Sequence, residues 1–126
     1  MSSAPPVKQF EHWTLVATDV SRSREFYTEI LGASIPDRDG GPTSVVLADT
    51  IIDIFPASSD SPAAPKGPGY HHAYLIQIED YDRWVEHLRT HDVPIQLRSH
   101  RLHRLSIFLD DPDGHQIELK IGRAHV

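Results

Sequence analysis

Residues 71–78 read HHAYLIQI and follow the run ASSDSPAAPKGPG at 57–69, whose proline, serine and glycine content suits neither a helix nor a central strand. The stretch has a counterpart near the start of the chain, FEHWTLVA at 10–17. There Trp13, Leu15 and Ala17 alternate with His12, Thr14 and Val16, as a strand with two different faces requires. A helical pattern follows each stretch. In the first half Asp19 or Ser21 can cap it, Phe26, Tyr27, Ile30 and Leu31 recur at helical spacing, and Gly32 stops it. In the second half Tyr81, Trp84, Val85 and Leu88 mark a helix over 80–91, ended by Val93-Pro94. Extended pieces come next: 33–35, 43–48 and 51–55 in the first half, and 94–97, 105–109 and 116–121 in the second. Each half therefore reads β-α-β-β-β, and the repeat decides the fold class. We expect an α+β protein with two βαβββ modules, 10–56 and 70–122. A leader (1–9) precedes them and a linker (57–69) joins them. The modules pair into a cupped, mostly antiparallel sheet that forms one domain, with helices outside and a concave site between.

The chain has 126 residues, with Lys plus Arg 12 against Asp plus Glu 18. A net charge of −6 argues against coating nucleic acid or an anionic membrane. No cysteine is present, which removes disulfides, thiolate nucleophiles, Cys-ligated zinc and iron–sulfur clusters. No apolar run approaches the roughly 20 residues of a membrane span, and no signal peptide is visible, so a soluble cytoplasmic protein is expected. Nine histidines are more than packing alone would suggest.

Strand parity selects some of them. His12 lies opposite Trp13, Leu15 and Ala17, and Glu118 lies opposite Ile117, Leu119 and Ile121. In the strand at 71 either His71 or His72 can face the cup. His71 is preferred, because His72, Tyr74, Ile76 and Ile78 then face the helices. Two imidazoles and one carboxylate suit a divalent ion with open positions, such as Fe, Mn, Ni or Zn.

These residues also carry a resemblance. The stretches HWTLVATD (12–19), SREFYTEILG (23–32), HHAYLI (71–76) and DPDGHQIEL (111–119) resemble the vicinal oxygen chelate superfamily. That group holds glyoxalase I, fosfomycin-resistance proteins, bleomycin-resistance proteins and extradiol dioxygenases. The resemblance implies paired βαβββ modules and a metal held by residues matching His12, His71 and Glu118, with Glu118 also the candidate catalytic acid–base group. It implies a further carboxylate where this chain has Asp53, one methylene shorter than the glutamate of glyoxalase I-like enzymes. Val16 occupies the place of their glutathione-binding arginine, and Phe108 that of a tyrosine common in dioxygenases and fosfomycin-resistance transferases. Thr14 and Ser106 match hydroxyl positions of the fosfomycin group.

Thr14, Ser106, Phe108 and Arg101 are accordingly candidate substrate contacts. The basic run Arg98, His100, Arg101, His103, Arg104 is either a mouth for an anionic substrate or a solvated loop. His115, His87 and His91 read as non-ligands, the last two on the surface. The expected function is metal-dependent chemistry on a small oxygen-chelating substrate: lyase or isomerase, dioxygenase, or transferase. The alternative is a metal-free protein that binds a bleomycin-like drug on the same scaffold. A homodimer is expected, because a cupped sheet leaves strand edges to cover.

Overall fold

A computed structural model describes residues 3–37, 40–63, 69–99 and 105–122. Seven strands and two helices follow one another as β1 (His12–Ala17), α1 (Val20–Glu29), β2 (Thr43–Leu47), β3 (Thr50–Pro56), β4 (His71–Ile76), α2 (Tyr81–Thr90), β5 (Gln96–Ser99), β6 (Leu105–Asp110) and β7 (Gln116–Ile121). They form two sheets, ordered β1-β3-β2 and β4-β7-β6-β5. In each sheet the opening strand runs parallel to the closing one, with His12 opposite Ile51 and His71 opposite Gln116. The closing strand then pairs antiparallel with its hairpin partner. The duplication is therefore a duplication of topology.

The halves differ in one strand. The extended piece expected at 33–35 shrinks to a single bridge, in which Ser34 and Val46 exchange backbone bonds of 2.9 and 2.7 Å. Pro36 has no N–H to continue that ladder. In the second half the equivalent strand persists as β5. It starts two residues later than its expected position at Pro94, again because the ladder needs donors that proline lacks.

Local chemistry explains the helix ends. Asp19 caps α1, its Oδ1 accepting from the Arg22 N–H at 3.1 Å. Gly32 turns the chain away at φ +77°, a conformation costly for any residue with a Cβ. Asp92, at φ +56°, ends α2, and the Val93 N–H reaches back to the Leu88 carbonyl at 2.9 Å.

The inner faces of both sheets share one core. Leu15, Ala17, Val45, Ile52 and Ile54 from the first half meet Ile107, Leu109, Ile117 and Leu119 from the second, with Tyr27 and Leu88 from the helices. Polar bonds also join the halves, one of them buried. The Tyr27 hydroxyl donates to Asp111 at 2.9 Å, and the Thr18 N–H donates to Asp113 at 3.1 Å. Asp111 in turn accepts from the N–H groups of Asp113 and His115, so the DPDG turn is folded around its carboxylate. Burial raises the Tyr27 pKa well above its ordinary value and pushes Asp111 up as well, against the pull of His115 and its own hydrogen bonds.

Two histidines read as bystanders help to make this joint. The His115 ring donates to the Val16 carbonyl and the His87 ring to the Ile30 carbonyl, both at 2.9 Å. His87 is thus half-buried between the halves rather than a plain surface residue. Among the described residues no helix is long and apolar enough to cross a membrane.

Candidate metal centre

The face of each sheet that points away from the core carries a histidine, an acid and a serine. On the second sheet the parity argument places His71 outward, and its Nε2 lies 3.3 Å from Glu118 Oε1. The other Glu118 oxygen accepts from the Ser106 hydroxyl at 2.7 Å. Ser106 stands opposite Lys120, one diagonal step from Glu118, a reach that the longer glutamate side chain allows. Glu118 is 8% exposed, so the bond to Ser106 keeps its carboxylate oriented where water seldom does.

On the first sheet His12 Nε2 lies 3.8 Å from Asp53 Oδ2, and Ser44 donates to Asp53 Oδ1 at 2.5 Å. Here the serine stands directly opposite the acid, as the shorter aspartate requires. His12 also bonds through Nδ1 to the exposed Glu11 carboxylate at 2.7 Å. A carboxylate accepts, so Nδ1 carries a hydrogen toward Glu11, and Nε2 faces Asp53. Both imidazole–carboxylate gaps exceed the 2.7–2.9 Å of a charge-assisted hydrogen bond. Each is compatible with a cation held about 2.0–2.2 Å from nitrogen and oxygen alike. The donor set of imidazole nitrogen and buried, pre-oriented carboxylate therefore fits a divalent transition metal.

The two pairs do not merge within one chain. Among the described residues no three His, Asp or Glu side chains gather closely enough to hold an ion. His12 with Asp53 and His71 with Glu118 are two candidate half-sites on two outward faces.

His72, the alternative to His71, points inward. Its ring packs at a tilt against Trp13, 4.5 Å between centroids, and its Nδ1 bonds to the Tyr74 hydroxyl at 2.9 Å. Burial, then His115 and His71, push its pKa down to about 4. Burial likewise raises Tyr74.

The candidate substrate contacts divide. Thr14 is exposed and pairs in register with Asp53, so its hydroxyl borders the first half-site. The Ser106 hydroxyl is buried and committed to Glu118. The Phe108 ring lies 6.1 Å from His71, and the Arg98 guanidinium sits over it at 5.5 Å from the centroid. Arg98 thus stands beside the second half-site, one end of the basic run seen in the sequence. Arg101 lies outside the described residues. Ser44 escaped the sequence reading. Only the β2–β3 register reveals it, and a serine near a proline carries no signal of its own.

Known proteins resemble this chain in sequence and fold. The sequence profile of the Glyoxalase/Bleomycin resistance protein/Dioxygenase superfamily matches residues 9–119. The uncharacterized protein YaeR of Escherichia coli (strain K12) is 30% identical over 125 residues, covering 90% of this chain and 95% of that protein. Glutathione transferase FosA of Serratia marcescens is 25% identical, covering 92% and 82%. A solved variant of the fosfomycin resistance protein FosX of Listeria monocytogenes, complexed with Mn(II) and 1S,2S-dihydroxypropylphosphonic acid, superposes with a TM-score of 0.77. It is 24% identical and covers 94% of this chain and 96% of that one.

Proposed function

We propose a metal-dependent enzyme, starting from the family: the chain belongs to the glyoxalase/bleomycin resistance protein/dioxygenase superfamily over residues 9–119. The observation that carries the proposal is the pair of outward half-sites, each a histidine facing an acid whose far oxygen is tied to a serine. His12, His71 and Glu118 hold one divalent ion, with Asp53 as a further donor. Because the pairs stay apart within one chain, a second copy completes each site. His12 and Asp53 of one chain meet His71 and Glu118 of the other. Among the described residues β1 and β4 are the edge strands of their sheets, and together with Leu75 at 73% and Phe10 at 65% exposure they offer surface for that copy to cover.

When bound, the ion supplies Lewis-acid stabilisation of negative charge on a substrate oxygen. The chain's own residues do the rest. Ser106 and Ser44 fix the two carboxylates. Glu118 and Asp53 are the groups placed to take or give a proton, since Phe108 has no hydroxyl to do so. Arg98 and Thr14 border the site and favour a small anionic, oxygen-rich substrate, such as a carboxylate or phosphonate. The kinship with FosA, a glutathione transferase, favours group transfer or addition over oxygen chemistry.

The test is Mn(II) content and affinity of chelator-stripped protein before and after Glu118→Ala and His12→Ala. Tight binding lost in both variants supports the reading. A wild-type chain with no tight site that still captures aromatic ligands would instead make it a binding protein.

A further inference from the structure

The last turn of α2 and its cap carry His87 and His91, four residues apart and so on one helix face. Their ring centroids lie 4.5 Å apart. Each ring also bonds a backbone carbonyl: His87 through Nε2 to Ile30, and His91 through Nδ1 to the His87 carbonyl, both at 2.9 Å. A carbonyl only accepts, so both rings donate and their tautomers follow. His87 carries its hydrogen on Nε2 and His91 carries its own on Nδ1. The lone pairs then reside on His87 Nδ1 and His91 Nε2, and neither nitrogen bonds to another described residue. Metal-binding imidazoles have this form, with one nitrogen anchored to a carbonyl and the other bare.

The surroundings suit a cation. Both rings sit at a helix C-terminus, where the unpaired carbonyls concentrate partial negative charge. Glu29, at the end of α1, lines both the cleft that holds His87 and the one that holds His91. Of the arginines in those clefts, Arg83 is engaged by Asp80 at 3.0 Å, and Arg22 shares its cleft with the carboxylates Glu25, Glu29, Asp92 and Asp110.

We propose that His87 and His91 form a second transition-metal site, on the outer side of α2 and apart from the sheet faces that carry His12, His71 and Glu118. His87 Nδ1 and His91 Nε2 are its protein ligands, and water fills the remaining positions. Two imidazoles select Cu(II), Ni(II) and Zn(II) over Mn(II), Mg(II) and Ca(II). A bound ion holds the His87 ring on the Ile30 carbonyl just past α1 and so stiffens the joint between the halves.

The experiment is a calorimetric titration of tag-free, chelator-stripped protein with Ni(II). The wild-type chain takes up one equivalent more than His91→Ala, and Glu118→Ala retains the α2 equivalent. In Glu118→Ala/His91→Ala the affinity of that equivalent falls by about tenfold or more. Ni(II) raises the unfolding midpoint of Glu118→Ala but not that of the double variant. His91 is exposed, so its replacement spares the fold. Equal uptake by wild type and His91→Ala, or no uptake by Glu118→Ala, would overturn the proposal. Loss of binding in Glu118→Ala with a normal His91→Ala would leave the sheet-face site standing and this one refuted.

Discussion

Ser106 donates its hydroxyl to Glu118 at 2.7 Å and so leaves the other carboxylate oxygen turned toward His71. The serine touches no imidazole, yet it decides where the acid points. Replacing it by alanine keeps the donor set and frees the carboxylate to rotate. Ser106→Ala is therefore expected to weaken Mn(II) binding by roughly 10–100-fold, while Glu118→Ala removes tight Mn(II) binding. Affinity measured with a competing chelator checks this, and a Ser106→Ala affinity equal to wild type would break the link between orientation and binding. Ser106→Thr, which retains a hydroxyl, should recover most of the loss.

His72 links pH to stability. Its folded pKa lies near 4 against an ordinary value of 6.5, so the folded state resists protonation where the unfolded chain accepts it. The unfolded state then binds more protons between these two values, and stability rises with pH across that window. The sign is fixed: the contribution is complete above about pH 6.5 and is lost as the pH falls toward 4. On the order of 2–3 kcal/mol is at stake, reduced where the ring keeps contact with water. Urea denaturation of the wild type and His72→Gln at pH 7, 5.5 and 4.5 reads it. The variant should be weaker at pH 7 and lose less on acidification. Parallel pH curves for the two proteins would contradict the assignment.

Tyr27 and Asp111 carry the joint between the halves. The Tyr27 side chain is fully buried, and its hydroxyl goes to an aspartate that is itself 5% exposed. Tyr27→Phe leaves that carboxylate one donor short inside the core, a cost of about 1–3 kcal/mol. The loss should appear in the denaturation midpoint with little change in its slope. An unchanged midpoint would mean that water replaces the hydroxyl.

Much of this was legible before the structure. Period-two alternation in 12–17 and 71–76 separates inward from outward residues correctly, so it brings His71 to Glu118 and sends His72 under Trp13. It works because one face of each strand is buried, and a one-residue slip would expose the whole apolar set. The pairing of Ser44 with Asp53 was hidden, because it depends on the register between two strands. The bonds of His115 to Val16 and of His87 to Ile30 were hidden for a different reason. They close over 99 and 57 residues of sequence and follow from packing, to which local patterns are blind. The gap between the two half-sites is likewise a tertiary fact: parity says which face a ligand takes, not how far apart two faces lie.

That gap can be tested by mixing chains. If each site joins His12 of one copy to His71 and Glu118 of another, then His12→Ala and Glu118→Ala spoil both sites of their own homodimers. A mixed dimer of the two variants behaves differently. Both lesions fall in one site, and the other receives an intact His12 from the Glu118→Ala chain and an intact His71 and Glu118 from the His12→Ala chain. Two differently tagged variants, co-expressed, purified through both tags in sequence and then freed of them, should bind about one tight Mn(II) per dimer, while each parental dimer binds none. Mn(II) is the ion to use, because it favours the carboxylate-bearing centre and leaves the imidazole pair on α2 silent. A site contained within a single chain admits no such rescue, since each chain would still lack a ligand. A mixed dimer as empty as its parents would therefore return the site to one chain and demand that the sheets move together to form it. A sedimentation profile showing only monomer at micromolar concentration would exclude the shared site outright.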